Sequence, residues 1–380
     1  MDLEMLQERA RIIRAIRSFF DDRDYLELDT PLLTPDLIPE SCLEVFETQR
    51  ILPNNKAAGS TDPYWLIPSP EIWMKKIIAR HCVNVYQICK CFRNGESSGF
   101  LHSPEFTMLE YYTMDADYMD SLRITEELFA FLGSRESGVG SRDGSLKAGG
   151  TSELSHNTSN NYPTPGLHPN ISNNNPDSLS SPDSPSSPLF FERLTVAEAF
   201  ARYAGFDLFD AAENGGMETE ARRLGLEPPP GMETAALYDL IFIHSVEPKL
   251  KDRRFIALLD YPAFVPCLAR LNTSGKNAGK CRERWELYCN GIELANCYSE
   301  ETNAQQVREF FESEAAAKEQ QALVKHRVDN NYWKIFGTGD ARFPKGEASF
   351  PRCSGVALGI DRLIMVLCGR STIDSVLPFA

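Results

Sequence analysis

Four short segments concentrate residues able to handle phosphate and a divalent ion. In Cys91-Phe92-Arg93-Asn94 an arginine follows a strand-like run. A guanidinium at a strand end can hold a phosphate bidentately. A polar loop then leads to His102-Ser103-Pro104-Glu105-Phe106, where the phenylalanine offers a stacking face, and the run continues to Glu110-Tyr111-Tyr112. In Gly291-Ile292-Glu293-Leu294-Ala295-Asn296-Cys297-Tyr298-Ser299-Glu300 two carboxylates flank what reads as a polar turn. Carboxylates together with nucleotide phosphates are the usual setting for magnesium. Gly355-Val356-Ala357-Leu358-Gly359-Ile360-Asp361-Arg362 combines small residues, which let backbone approach a ligand, with an arginine at the start of a helix. Finally, Ser69-Pro70-Glu71 precedes a helical pattern that Ser69 could cap. Taken singly, each segment has a plain structural reading as a surface arginine, a core aromatic, a solvated strand end or a tight packing site.

Two better-known motifs fail on context. Gly95-Glu96-Ser97-Ser98-Gly99 fits the spacing of a nucleophile elbow, but it falls between two strands instead of at a strand-to-helix turn. Gly275 to Cys281 resembles a phosphate-binding loop with one residue too few between its glycines and Cys281 at the magnesium-binding position. No G-x-G-x-x-G or H-E-x-x-H occurs.

The elements that must position these segments are an early amphipathic helix (Ile12, Ile16, Phe19, Phe20), a strand at Tyr25 to Asp29 ending before Pro31, and a helix from Glu71 to His81. Two strands, Val83 to Phe92 and Phe106 to Tyr112, form a long-looped antiparallel hairpin. Helical patterns follow at Leu194 to Tyr203, Thr234 to Val246 and Gln305 to Val324, with a strand at Arg284 to Ala295. A glycine-rich start that becomes helical covers Gly355 to Leu367. The mixture predicts an α+β fold, an antiparallel sheet flanked by helices. Residues 134–188 are rich in Ser, Asn, Gly and Pro and poor in apolar residues, which predicts a disordered insertion within one catalytic domain spanning 1–380.

The 39 Lys+Arg against 54 Asp+Glu leave a net charge of −15, which disfavours a protein gripping nucleic acid through a broadly basic surface. No stretch of eighteen apolar residues and no signal-like start occur. The ten cysteines form no C-x-x-C pair and read as reduced thiols of a cytoplasmic protein.

In order and content the segments resemble the three signature motifs of class II aminoacyl-tRNA synthetases, in particular the lysyl branch. Tyr25 to Leu33 resembles motif 1, Phe92 to Glu110 motif 2 and Gly355 to Leu363 motif 3. Within that branch the chain is most similar to the truncated paralogues that attach (R)-β-lysine to elongation factor P. It begins essentially at motif 1, reads Glu-Leu-Ala-Asn at 293–296, and has Ala357 where lysyl-tRNA synthetases typically carry glycine.

The resemblance implies ATP and Mg2+ as cofactors, elongation factor P as acceptor, an amino acid as second substrate and a homodimer. It implies catalytic roles for Arg93 and Arg362, with Arg93 on the α-phosphate and Phe106 and Arg362 sandwiching adenine. ATP would also be met by Asn94, Glu96, His102, Ser103, Glu293, Leu294 and Gly359, and the metal by Glu293 and Glu300. The amino acid would be met by Ser69, Pro70, Glu71, Glu110, Tyr112, Glu300 and Ala357. Glu110 and Tyr112, two apart on a strand, share a face and suit one ammonium group. Gly95, Ser103, Cys297 and Glu301 depart from the family pattern, with Gly95 read as a one-residue insertion before Glu96. A minimal lysyl-tRNA synthetase is the alternative reading, with tRNA disfavoured by the acidic charge. A non-catalytic binding paralogue is the alternative from another class.

Overall fold

A computed structural model describes residues 3–52, 61–95, 99–136, 190–337 and 350–379. The chain opens with α1 (Leu3–Asp21), whose Ile12, Ile16, Phe19 and Phe20 are fully buried along one stripe. Short strands β1 (Leu26–Glu27) and β2 (Leu33–Thr34) follow, then β3 (Glu47–Ile51), β4 (Thr61–Leu66), α2 (Glu71–His81), β5 (Val85–Phe92) and β6 (Glu105–Met114). Helix α3 (Tyr118–Glu136) precedes β7 (Glu192–Thr195) and a helical group, α4 (Val196–Ala199), α5 (Leu208–Glu213), α6 (Met217–Arg223) and α7 (Thr234–Ile241). The remainder is β8 (Ile256–Pro262), β9 (Cys281–Cys289), β10 (Ile292–Ser299), α8 (Ala304–Gln321), β11 (Cys353–Gly359) and α9 (Ile360–Leu367).

The described residues build an eight-stranded sheet in the order β1-β5-β6-β11-β10-β9-β8-β7, and a three-stranded sheet β2-β4-β3 beside it. Only the outermost pairs of the large sheet, β1 with β5 and β7 with β8, run parallel. This is the expected α+β architecture.

Strand alternation divides the large sheet into a packed face and a working face. Tyr86, Leu109, Tyr111, Val356, Leu358, Leu294, Ala295 and Cys297 join α1, α3 and α9 in one core cluster. Their strand neighbours Met108, Glu110, Tyr112, Ala357, Asn296, Tyr298 and Glu300 line a cavity on the opposite side. A second core packs α4 to α7 against β7 to β9.

Five expectations change. The single strand at Arg284 to Ala295 is two strands, β9 and β10, joined at Asn290-Gly291. Both turn residues have positive φ (51° and 78°), the geometry of the tight hairpin turn that Asn-Gly favours. Glu293 and Glu300 therefore lie along one strand and do not flank a turn. Ser69 does not cap α2; Pro70 occupies that position and no side chain caps the helix. Helix α3 was not anticipated and takes the first three residues assigned to the 134–188 insertion, the rest of which lies outside the described residues apart from this end. The strand at Tyr25 to Asp29 shortens to Leu26–Glu27. Among the described residues no helix is long and apolar enough to cross a membrane.

Candidate active site

The working face carries two adjoining cavities. One, of about 200 Å³, is lined by Arg93, His102, Ser103, Phe106, Glu293, Gly359 and Arg362 among others. The other, of about 100 Å³, is lined by Ser69, Glu71, Lys75, Glu110, Tyr112, Tyr298, Glu300 and Gly355, with Glu40. Arg93, Met108, Asn296 and Ala357 line both. The sheet register explains the junction: Glu110, Ala357, Asn296 and Glu286 are directly paired across β6, β11, β10 and β9.

The first cavity is built to take a flat, anionic ligand. The Arg93 guanidinium lies 5.2 Å from the centre of the Phe106 ring. Arg362 donates to the Glu293 carbonyl (3.0 Å) and the Leu101 carbonyl (3.2 Å), which ties α9 to β10 and to the loop before β6. Beneath it, Asp361 accepts from the Thr107 amide at 2.6 Å and pairs with Arg9 of α1 at 2.7 Å. Arg9 also donates to the Thr107 hydroxyl (2.8 Å). Thr107 sits between the cavity residues Phe106 and Met108, so this buried triad fixes the stacking strand against the arginine helix.

Glu293 reaches this cavity through a break in strand register. Glu293 pairs with Tyr288 and Ala295 with Leu287, leaving Leu294 as an extra residue on β10. In a regular strand, residues seven apart point to opposite faces. The bulge restores Glu293 and Glu300 to the same face, so one reaches each cavity. Burial and the neighbouring Glu286 push the Glu293 carboxyl up to about 7, against the pull of Arg362, whose guanidinium is 3.9 Å away.

The second cavity is acidic. Lys75 of α2 is shared between Glu71 (2.6 Å) and Glu300 (2.7 Å) and is itself buried. Burial alone would depress its ammonium, but Glu300 and Glu71 outweigh it and hold the pKa well above the ordinary value. Burial pushes the Glu300 carboxyl up to about 7; Lys75 opposes, but its charge is divided with Glu71. Glu110 accepts from the Tyr112 hydroxyl at 2.7 Å and is also pushed well up, by burial first and Glu71 second. The cavity thus gathers more carboxylate than its own cations offset, and burial together with mutual repulsion raises these carboxyls.

Gly355 is required there. A Cβ on it would meet Tyr112 Cε1 at 2.4 Å and Glu300 Oε1 at 2.6 Å. Tyr112 and Glu300 lean over β11 because that position has no side chain.

The profile of the family described as tRNA synthetases class II (D, K and N) matches residues 3–380. The chain belongs to this class II tRNA synthetase family. It is an ATP-dependent amino-acid ligase of the class II type. A curated relative, the elongation factor P–(R)-β-lysine ligase of Avibacterium paragallinarum, is 29% identical over 378 residues, covering 100% of this synthetase and 95% of its own length.

Most residues anticipated from the sequence converge on the two cavities of the synthetase, with exceptions. Asn94 lies outside both linings; its amide group contacts the Val45 carbonyl and the Gly95 amide, which pins the end of β5 to the segment before β3. Pro70 belongs to the start of α2. Leu294 packs in the core yet also borders the nucleotide cavity, as anticipated. Glu96 lies outside the described residues. Of the departures from the family pattern, Gly95 has φ +70°, which favours glycine there. Cys297 is buried on the packed face, 3.2 Å from the Ser354 hydroxyl, and does not meet the site. Glu301 accepts from the amides of Thr302 and Asn303 at the approach to α8. Lys75, Met108, Asn296, Asp361 and Glu40 were not assigned roles from sequence. The Glu71-x-x-x-Lys75 spacing does signal an i,i+4 pair, but such a pair ordinarily reads as a solvated helix face.

Proposed function

We propose that the protein condenses (R)-β-lysine, or lysine, with ATP to an aminoacyl-adenylate and transfers the aminoacyl group to a lysine of elongation factor P. The observation that carries this reading is the acidic second cavity, joined to the nucleotide cavity at Arg93, Met108, Asn296 and Ala357. An amino acid with two ammonium groups fits such a lining, while its carboxylate points to the junction. The relative from Avibacterium paragallinarum, an elongation factor P–(R)-β-lysine ligase, suggests the acceptor and the β-amino acid.

In this mechanism a carboxylate oxygen of the amino acid attacks the α-phosphorus, and the bond to pyrophosphate breaks. Arg93 faces the charge that accumulates on the α-phosphate, while Phe106 and Arg362 hold the adenine between ring and guanidinium. The acceptor amine then attacks the acyl carbon, loses its proton, and AMP departs with the bonding pair. Positioning and electrostatics supply the catalysis, with no covalent enzyme nucleophile.

Magnesium fits the nucleotide side. Glu293 brings a carboxylate to the nucleotide cavity 3.9 Å from the Arg362 guanidinium, and burial pushes it up to about 7 in spite of that arginine. Glu293 would hold the ion, with Glu300 contributing less because Lys75 already engages it. When bound, the ion neutralises phosphate charge.

The deciding experiment is an acceptor comparison. Amino-acid-dependent pyrophosphate exchange is measured first for (R)-β-lysine and α-lysine, then transfer to elongation factor P and to tRNA. Transfer to tRNA alone would replace this reading with that of a minimal lysyl-tRNA synthetase. Absence of any exchange would favour a non-catalytic binding protein.

A further inference from the structure

Glu40 lies in the segment between β2 and β3, outside every signature segment, yet it lines the amino-acid cavity beside Ser69, Glu71 and Arg93. Its backbone is fixed from outside the cavity. Lys318 of α8, itself buried, donates to the carbonyls of Glu40 (3.0 Å) and Leu43, and Glu314 accepts from the Ser41 amide (2.8 Å). The carboxylate has no hydrogen bond or ion pair among the described residues, whereas Glu71, Glu110 and Glu300 each have one. Burial, then Glu71, push it up to about 7, although Arg93 and Lys318 pull the other way.

Arg93, Met108, Asn296 and Ala357 also line the nucleotide cavity and mark the side that meets it, whereas Lys75, Glu300 and Tyr112 line the amino-acid cavity and not the nucleotide cavity. Glu40 feels Arg93 and Glu71, while the charges felt by Glu300 include Lys75 and Glu71. An amino acid whose carboxylate meets the nucleotide near Arg93 leaves its nearer amine beside Glu40 and Glu71 and sends its distal amine toward Glu300 and Glu110. We propose that Glu40 is a specificity-determining residue that receives the amine nearest the reacting carboxylate, so that the protein selects diamino acids over acids carrying only the distal amine. This rests on the lysine-type reading of the site above.

The test uses the full chain, its Glu40→Gln and Glu40→Asp variants, and three probes: (R)-β-lysine, α-lysine and 6-aminohexanoate, which keeps the distal amine and lacks the nearer one. Pyrophosphate exchange gives kcat and KM for each. Glu40→Gln is expected to raise KM for the better diamino acid by about 10–100-fold, with a smaller change in kcat, the loss of one charge-assisted hydrogen bond. For 6-aminohexanoate kcat/KM should stay unchanged, and Glu40→Asp should recover part of the discrimination. Equal losses on all three probes, or an unchanged preference while native exchange with lysine-type acids is intact, overturns the role of Glu40 alone. If the native protein exchanges none of the three, the lysine-type reading falls and the Glu40 assignment falls with it.

Discussion

Replacing Gly355 by alanine should damage the amino-acid side of the site selectively. The new Cβ would stand 2.4 Å and 2.8 Å from Tyr112 Cε1 and Cδ1 and 2.6 Å from Glu300 Oε1. Ordinary contact begins at 3.4 Å, so the ring edge must retreat by about 1 Å. Neither neighbour has room: Tyr112 and Glu300 are each 3% exposed, Tyr112 is bonded to Glu110 and Glu300 to Lys75. Overpacking of this kind costs about 1–3 kcal/mol of stability. A misplacement of about 1 Å among ligand-positioning groups costs roughly a hundredfold in rate. Gly133→Ala in α3 is the matched control, because its Cβ would meet nothing within 4 Å and it lines neither cavity. Urea unfolding should therefore separate the two variants. Pyrophosphate exchange should show a drop of about a hundredfold in kcat/KM for the amino acid only in Gly355→Ala. Native stability and native amino-acid kinetics in Gly355→Ala would refute the claim that this glycine makes room for Tyr112 and Glu300.

Further outcomes follow from the same geometry. Glu293→Gln keeps shape and loses charge, so magnesium-dependent adenylate formation should fall by roughly a hundredfold or more with the unfolding curve unchanged; an unaltered exchange rate would remove Glu293 from the site. Ala357 stands between Glu110 and Asn296 at the junction of the cavities, and Ala357→Gly should move preference from (R)-β-lysine toward α-lysine by about 10–200-fold, read as the ratio of kcat/KM values. Burial raises Glu40 and Glu300 to about 7, so their ionised, ammonium-binding forms are lost as pH falls through 7. Amino-acid KM should therefore rise roughly tenfold between pH 8 and 6, with proton release on binding seen by calorimetry in buffers of different ionisation enthalpy; a flat profile would contradict it. For folding the sign is reversed. Carboxyls raised from 4.5 to about 7 bind protons more tightly folded than unfolded, so their stabilisation is present below 4.5 and lost as pH rises through 7. Motif 1 leaves Leu26 and Leu33 exposed, and we propose that this face pairs two copies; light scattering showing a monomer at micromolar concentration would exclude it.

Much of the site was readable because strand alternation turns residue order into geometry. Phe106, Glu110 and Tyr112 are spaced by even numbers on one strand, and they do share a face. The pairing of β9 with β10 was missed although Asn290-Gly291 announces it, because the apolar and aromatic content on either side runs together as one strand. The bulge at Leu294 leaves no local signature; it is set by pairing with β9, a contact remote in sequence. Glu40 was invisible for a similar reason. It sits in an aperiodic segment and acquires its position from α8, nearly three hundred residues along the chain.

The four side chains common to both cavities make the two substrates thermodynamically interdependent. Whatever free energy bound nucleotide adds to amino-acid affinity, the amino acid must return to nucleotide affinity in equal measure. The sign is set by charge: triphosphate near Arg93 would offset that arginine where the two cavities meet and favour the incoming ammonium groups. Each ligand should therefore bind more tightly in the presence of the other, and the ternary complex should be populated at concentrations where neither binary complex is.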